Sequence, residues 1–153
     1  MSRSDPHPIG RGGHERSVFV DSGAWIAYYS ARDARHGEAD ASLRAAVTGR
    51  RILVTTNLIL AEVHRWCLFQ AGIAAAGAAL DRIDATPLVR IVYANREHHQ
   101  AARAWLAKLG DQRITYTDAV SFAVMNALRC RLVLTFDHDF LAAGFTPWQA
   151  GAR

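Results

Sequence analysis

Arg131-Leu132-Val133-Leu134-Thr135-Phe136 runs straight into Asp137-His138-Asp139, and a short helical stretch then stops at Gly144. Six mainly apolar and β-branched residues followed at once by acids read as a buried strand whose carboxyl end opens on polar chemistry. The same order occurs near the start of the chain. Ser17-Val18-Phe19-Val20 is a short strand, Asp21 follows directly, and Ser22-Gly23 opens a helix through Trp25, Tyr28 and Tyr29. Between these two units the pattern alternates. A helix from about His36 to Val47 precedes a strand at Ile52–Val54. Thr55-Thr56-Asn57 supplies caps for a helix that stops at Gly72, and an alanine-rich helix, Ile73–Ala85, is closed by Pro87. A third strand, Leu88–Val92, leads to a helix over Asn95–Leu109, a loop over Asp111–Thr117 and a helix over Asp118–Leu128. Strands alternating with helices predict a parallel sheet covered on both faces, with its ligand crevice beyond the carboxyl ends of the strands.

Composition sets the frame. The 153 residues are half hydrophobic and 21% charged, which suits one globular domain and excludes a disordered chain. No apolar run approaches the roughly 18–20 residues of a membrane span. Residues 1–16 are polar, carry Pro6, Pro8, Gly10, Gly12 and Gly13, and lack the apolar region of a secretory signal. They read as a flexible leader before a domain over 17–148 and a short tail over 149–153. The two cysteines, Cys67 and Cys130, form neither a disulfide framework nor a metal knuckle, so a cytoplasmic location with reduced thiols is expected. Basic residues outnumber acidic ones by 18 to 14, and all but Lys108 are arginine. Arginine favours flat anionic partners such as phosphate, although a GC-rich coding sequence gives the same bias.

The acids gain meaning from their positions. Asp21 and Asp137 follow the first and last strands, Asp118 begins a helix, and Glu62 lies about one turn inside another. Singly, Asp21, Asp118 and Asp137 are also placed as helix-capping acids. Glu62 shares a helical face with Leu58, Ile59, Trp66 and Phe69, where a carboxylate needs a cation or a partner such as Arg65 or Arg113. Together, four carboxylates at one sheet edge repel each other unless a cation sits among them. Oxygen-only ligation favours Mg²⁺ or Mn²⁺ over zinc. Such an ion activates water and neutralises charge on a phosphate under attack, which is the chemistry of phosphodiester hydrolysis.

Val18-Phe-Val-Asp21-Ser22, Thr55-Thr-Asn-Leu-Ile-Leu-Ala-Glu62-Val63, Thr115-Tyr-Thr-Asp118-Ala119 and Leu134-Thr-Phe-Asp137-His-Asp-Phe140, with Gly144-Phe145, together resemble a PIN-domain nuclease. The resemblance spans about Val18 to Pro147 and is nearest the small single-domain VapC-type toxins. It implies a three-layer α/β/α fold around a parallel sheet of four or five strands. It also implies Mg²⁺- or Mn²⁺-dependent endoribonuclease activity that leaves a 5′-phosphate and a 3′-hydroxyl. Asp21, Glu62, Asp118 and Asp137 match the acidic quartet, as catalytic and metal-ligating residues. Asp139 is a lesser contributor, and Thr117 and Thr135 match positions whose hydroxyl orients a carboxylate or the substrate. The partners implied are an RNA substrate, a cognate antitoxin covering the acidic crevice, and a second copy in a homodimer.

Two rivals stand beside this reading. A non-catalytic RNA-binding or regulatory protein would keep the fold and bind RNA without responding to EDTA. A haloacid-dehalogenase-like phosphohydrolase needs Asp-x-Asp after its first strand, whereas Asp21 is followed by Ser22-Gly23. His98 and His99 read as solvated surface, His138 as exposed or substrate-facing, and Trp25, Tyr28, Tyr29, Trp66 and Trp105 mostly as core. Arg32, Arg35, Arg50 and Arg51 are candidates for RNA phosphate contacts or solvated charge. With the four proposed ligands set aside, 18 basic residues face 10 acidic ones, a basic surround to a small acidic pocket.

Overall fold

A computed structural model describes residues 16–151. The leader expected at 1–16 therefore lies, except for Arg16, outside the described residues, as do residues 152–153 of the tail. The elements are β1 (Ser17–Val20), α1 (Ser22–Tyr29), α2 (His36–Thr48), β2 (Ile52–Thr56), α3 (Asn57–Ala71) and α4 (Ile73–Ala85), then β3 (Val89–Val92), α5 (Arg96–Lys108), α6 (Tyr116–Ala127), β4 (Leu132–Leu134), α7 (Asp139–Ala142) and β5 (Thr146–Pro147).

The five strands form one parallel sheet in the order β3-β2-β1-β4-β5. The chain thus starts in the middle, builds outward through β2 and β3, then crosses to the other side of β1 for β4 and β5. Right-handed crossovers running in opposite directions put α1–α4 on one face and α5–α7 on the other. This is the three-layer α/β/α arrangement. The reversal of direction falls between β1 and β4, where a crevice opens beyond the strand ends.

Every residue of β1 is buried. Alternation along the strand sends Phe19 to one face and Val18 and Val20 to the other. Phe19 meets Phe140 at 6.1 Å between ring centroids, Phe140 meets Phe122 edge-on at 5.0 Å, and Trp105 meets Phe122 at 5.4 Å. Burial of each such ring contributes about 1.5–3 kcal/mol. Between α3 and α4 the chain turns at Gly72 with φ +90°, a conformation that disfavours any residue with a Cβ.

Several boundaries differ from the sequence reading. β2 extends through Thr55 and Thr56, which pair with Ile91 and Val92 of β3. β4 ends at Leu134, so Thr135 and Phe136 leave the ladder and turn toward the crevice. α6 starts at Tyr116, not Asp118, with Thr115 as its cap. β5 is a fifth strand of two residues, too short to show periodicity, with Pro147 at the sheet edge where a missing N–H is tolerated. Among the described residues, no helix is long and apolar enough to cross a membrane, and Cys67 and Cys130 are buried free thiols.

Candidate active site

Asp21 stands where β1 ends. Its backbone N–H continues the ladder to the Leu134 carbonyl at 3.1 Å, while its carboxylate caps α1 by accepting from Ser22 N at 2.8 Å. The capping reading of this residue therefore holds. It is only 5% exposed, and burial pushes its carboxyl up to about 7. Hydrogen bonds from Thr135 and Ser22 oppose that rise, and the charges of Asp118 and Glu62 add to it.

Thr135 joins the two central strands across the switch point. Its hydroxyl donates to Asp21 Oδ2 at 2.9 Å and accepts from Asp137 N at 3.0 Å. Asp137 Oδ1 in turn accepts from Asp139 N at 2.9 Å. One hydroxyl thereby fixes the carboxylate after β1 and the turn that carries the acids after β4.

Asp118 occupies the third position of α6 in a reciprocal capping box. Its Oδ2 accepts from the Thr115 hydroxyl at 2.7 Å and from Thr115 N at 3.2 Å, and Asp118 N donates back to Thr115 Oγ1 at 3.1 Å. Burial holds its carboxyl above the usual range, and nearby Asp137 and Glu62 add to the rise. The hydroxyl that orients this carboxylate is thus Thr115 rather than Thr117, whose recorded contact is its carbonyl accepting from Ser121 Oγ at 2.9 Å. The signal was available in the sequence, because Thr115-x-x-Asp118 has the spacing of a capping box.

One carboxylate oxygen from each of Asp118, Asp137 and Asp139 lies within 4.8 Å of the others. Asp139, the lesser contributor of the sequence reading, is therefore a full member of the convergent group, and burial followed by Asp137 raises its carboxyl. Asp21 and Glu62 sit outside this trio but are electrostatically coupled to it through Asp118. The trio and its neighbours offer only oxygen donors, and none of the five carboxylates is ion-paired among the described residues, where the bridges are Arg35–Glu38 and Arg44–Asp40. An all-oxygen set in which burial raises the carboxyls of Asp21, Asp118 and Asp139, and in which no member is ion-paired among the described residues, fits a hard divalent cation.

Glu62 corrects the sequence reading in one respect. The buried stripe of α3 is Ile59, Val63 and Cys67, while Phe69 is 70% exposed, so Glu62 lies beside the apolar face rather than on it. Arg65, the suggested partner, instead lies over the Phe69 ring at 5.1 Å. Its helix is aimed by Thr56, whose hydroxyl caps α3 at Ile59 N, and by Asn57, whose side chain accepts from Ala94 N beyond β3.

The PIN domain family matches residues 18–146. The chain belongs to the PIN domain family. Among PIN proteins it is 33% identical over 132 residues to the 23S rRNA-specific endonuclease VapC20 of two strains of Mycobacterium tuberculosis, covering 84% of this chain and 95% of the relative. It is 28% identical over 127 residues to a VapC ribonuclease of Archaeoglobus fulgidus, covering 81% of this chain and 79% of that one. The crystal structure of the M. tuberculosis VapC20, a Sarcin-Ricin loop cleaving toxin, matches with a TM-score of 0.75 over 84% of this chain and 96% of that one. The chain is thus a PIN domain of the VapC type, and its five-stranded parallel sheet is the fold that the sequence resemblance implies.

Proposed function

We propose that this PIN domain is a Mg²⁺- or Mn²⁺-dependent endoribonuclease and the toxin of a type II toxin–antitoxin pair. The observation that carries the metal-dependent part is the convergence of Asp118, Asp137 and Asp139, none of them in an ion pair among the described residues. Those three residues, with Asp21 and Glu62 beside them, would hold the ion. When bound, it neutralises charge on the attacked phosphate and makes water a better nucleophile.

The chain's own groups supply position. Thr115 and Thr135 hold Asp118 and Asp21 by hydrogen bonds of 2.7 and 2.9 Å, so these two carboxylates would hold an ion with little reorganisation. The Arg35 guanidinium lies over Phe136, the residue before Asp137, at 5.0 Å and bonds Glu38 at 3.1 Å. Its charge beside the residue that precedes Asp137 supports a contact with RNA phosphate. The names of the relatives support RNA as substrate and make 23S rRNA the first RNA to assay. An antitoxin protein, a homodimeric assembly and a cytoplasmic location complete the reading.

Incubating purified protein with total RNA, with Mn²⁺ and with EDTA, beside Asp118→Asn, tests it. Cleavage in Mn²⁺ that is lost in both other arms supports the proposal. RNA binding indifferent to EDTA, with no cleavage in Mn²⁺, would instead support the non-catalytic reading.

A further inference from the structure

Asp137 and Asp139 follow β4 on a short turn, and the residue just before Asp137 is gripped from the other half of the chain. The Arg35 guanidinium lies over the Phe136 ring, 5.0 Å from its centroid and within reach of a cation–π attraction. Glu38, near the start of α2, bonds the same guanidinium at 3.1 Å.

Each partner is fixed by contacts of its own. Arg35 directly precedes α2, and Asp33 Oδ1 accepts from its backbone N–H at 2.7 Å. His36 Nδ1 and Ala27 O share a hydrogen bond of 2.8 Å, which ties the start of α2 to α1. Phe136 is half-buried and packs against the hydrophobic core. Before it, the Thr135 hydroxyl bonds Asp21 Oδ2 and Asp137 N; after it, Asp137 Oδ1 accepts from Asp139 N. The hydrogen bonds that shape the acidic turn therefore begin at the residues flanking Phe136, and Arg35 holds the ring between them.

We infer that Arg35 is a positioning residue for the metal site: by holding Phe136 it fixes the turn on which Asp137 and Asp139 meet Asp118. The inference rests on the metal-dependent reading of that trio. It goes beyond a contact with RNA phosphate, because it acts before any RNA arrives. A turn that carries two of three converging carboxylates binds an ion less tightly once it is free to move, since binding must then order it. The Arg35 side chain is 56% exposed, and a cation–π contact at an exposed site corresponds to a factor of about 2 to 5 in an equilibrium.

The test is a calorimetric Mn²⁺ titration of the full, metal-free chain without RNA, with Tm in EDTA measured alongside. Arg35→Ala should weaken Mn²⁺ binding about 2- to 5-fold. Phe136→Leu, which keeps an apolar side chain and loses the ring, should do the same. The double variant should bind no more weakly than either single one, because both changes remove one contact. Phe136→Tyr, which keeps the ring, should bind Mn²⁺ as the unaltered chain does. Unchanged Mn²⁺ affinity in Arg35→Ala, with only a lower Tm in EDTA, would make the contact a tie between the two halves of the fold and overturn the inference. Unchanged Mn²⁺ affinity with weaker RNA binding would overturn it as well, leaving Arg35 a phosphate contact alone. Losses that add in the double variant would overturn it too, since Arg35 would then act by a route other than Phe136. Failure of the metal-dependent reading is distinguishable, because the unaltered chain would then bind no Mn²⁺, and the inference would fall with it.

Discussion

Phe19 and Asp21 are two positions apart at the end of the same strand and almost equally shielded from water, at 0% and 5% exposure. Around Phe19 the neighbour is the Phe140 ring of α7, itself packed on Phe122 of α6, and burial lowers the free energy of the folded chain. Around Asp21 they are the Thr135 hydroxyl and the Ser22 N–H, with the charges of Asp118 and Glu62 repelling its own, and burial raises that free energy unless a proton or a cation arrives. One layer of the sheet therefore stabilises the fold, and the next holds a charge deficit that the fold has to carry. The difference teaches that shielding alone says nothing about the sign of a contribution. The neighbouring chemistry decides it.

The comparison breaks first at the aromatic layer. Phe122→Ala removes the ring that touches Trp105, Phe140 and Phe145 and should cost about 3–5 kcal/mol in denaturant unfolding. A loss below about 1 kcal/mol would mean that the aromatic layer is not where stability lies.

The opposite sign is expected in the crevice. Asp21 has a folded-state pKa of about 7, above the unfolded value near 3.8, so the native state binds more protons in that interval. Stability of the metal-free protein should fall as pH rises from about 4 through about 7, by about 2–4 kcal/mol in all. Thermal unfolding in EDTA across this range checks the slope. Asp21→Asn should flatten it, and added Mn²⁺ should raise Tm more at pH 8 than at pH 5. A slope of the other sign would remove the charge-deficit account.

Between the two layers lie the hydroxyls. Thr115→Ala deletes the cap of α6 and both hydrogen bonds that the Thr115 hydroxyl shares with Asp118, and should cost about 1 kcal/mol in stability. It should also reduce cleavage, with Thr115→Ser restoring both. Loss of stability without loss of cleavage would show that Thr115 serves the helix alone.

The smallest effect is expected far from either layer. Arg129 adopts φ +54° in the turn between α6 and β4, where its N–H reaches Asn126 O at 3.1 Å. Arg129→Gly should raise stability by up to about 1 kcal/mol by relieving the left-handed conformation, with cleavage unchanged.

Much of this was legible in the residues. The run Ser17–Asp21 and the run Arg131–Asp137 announce strands that end in acids, because buried parallel strands are continuous apolar stretches and their exits are polar. Helix stops at Gly72 and Gly144 were equally plain. The exact exits were not: Thr135 looks like any β-branched strand residue, and only the end of pairing at Leu134 frees its hydroxyl to bridge Asp21 and Asp137. Helical spacing puts Glu62 on an apolar face because it reports neighbours on one helix, not the direction in which that helix meets the sheet.

By itself, then, the sequence determined the alternation of strands and helices, the acids at the strand exits, and the family to which their order belongs. These are local properties, carried by periodicity and by residues adjacent in the chain. The tertiary structure decided which acids meet. Asp118, Asp137 and Asp139 converge because the reversal at β1 and β4 opens a crevice there, and because α6 is packed with its capped first turn beside the loop after β4. Convergence of this kind depends on crossover direction and helix packing, which couple residues dozens of positions apart. No window along the chain contains them.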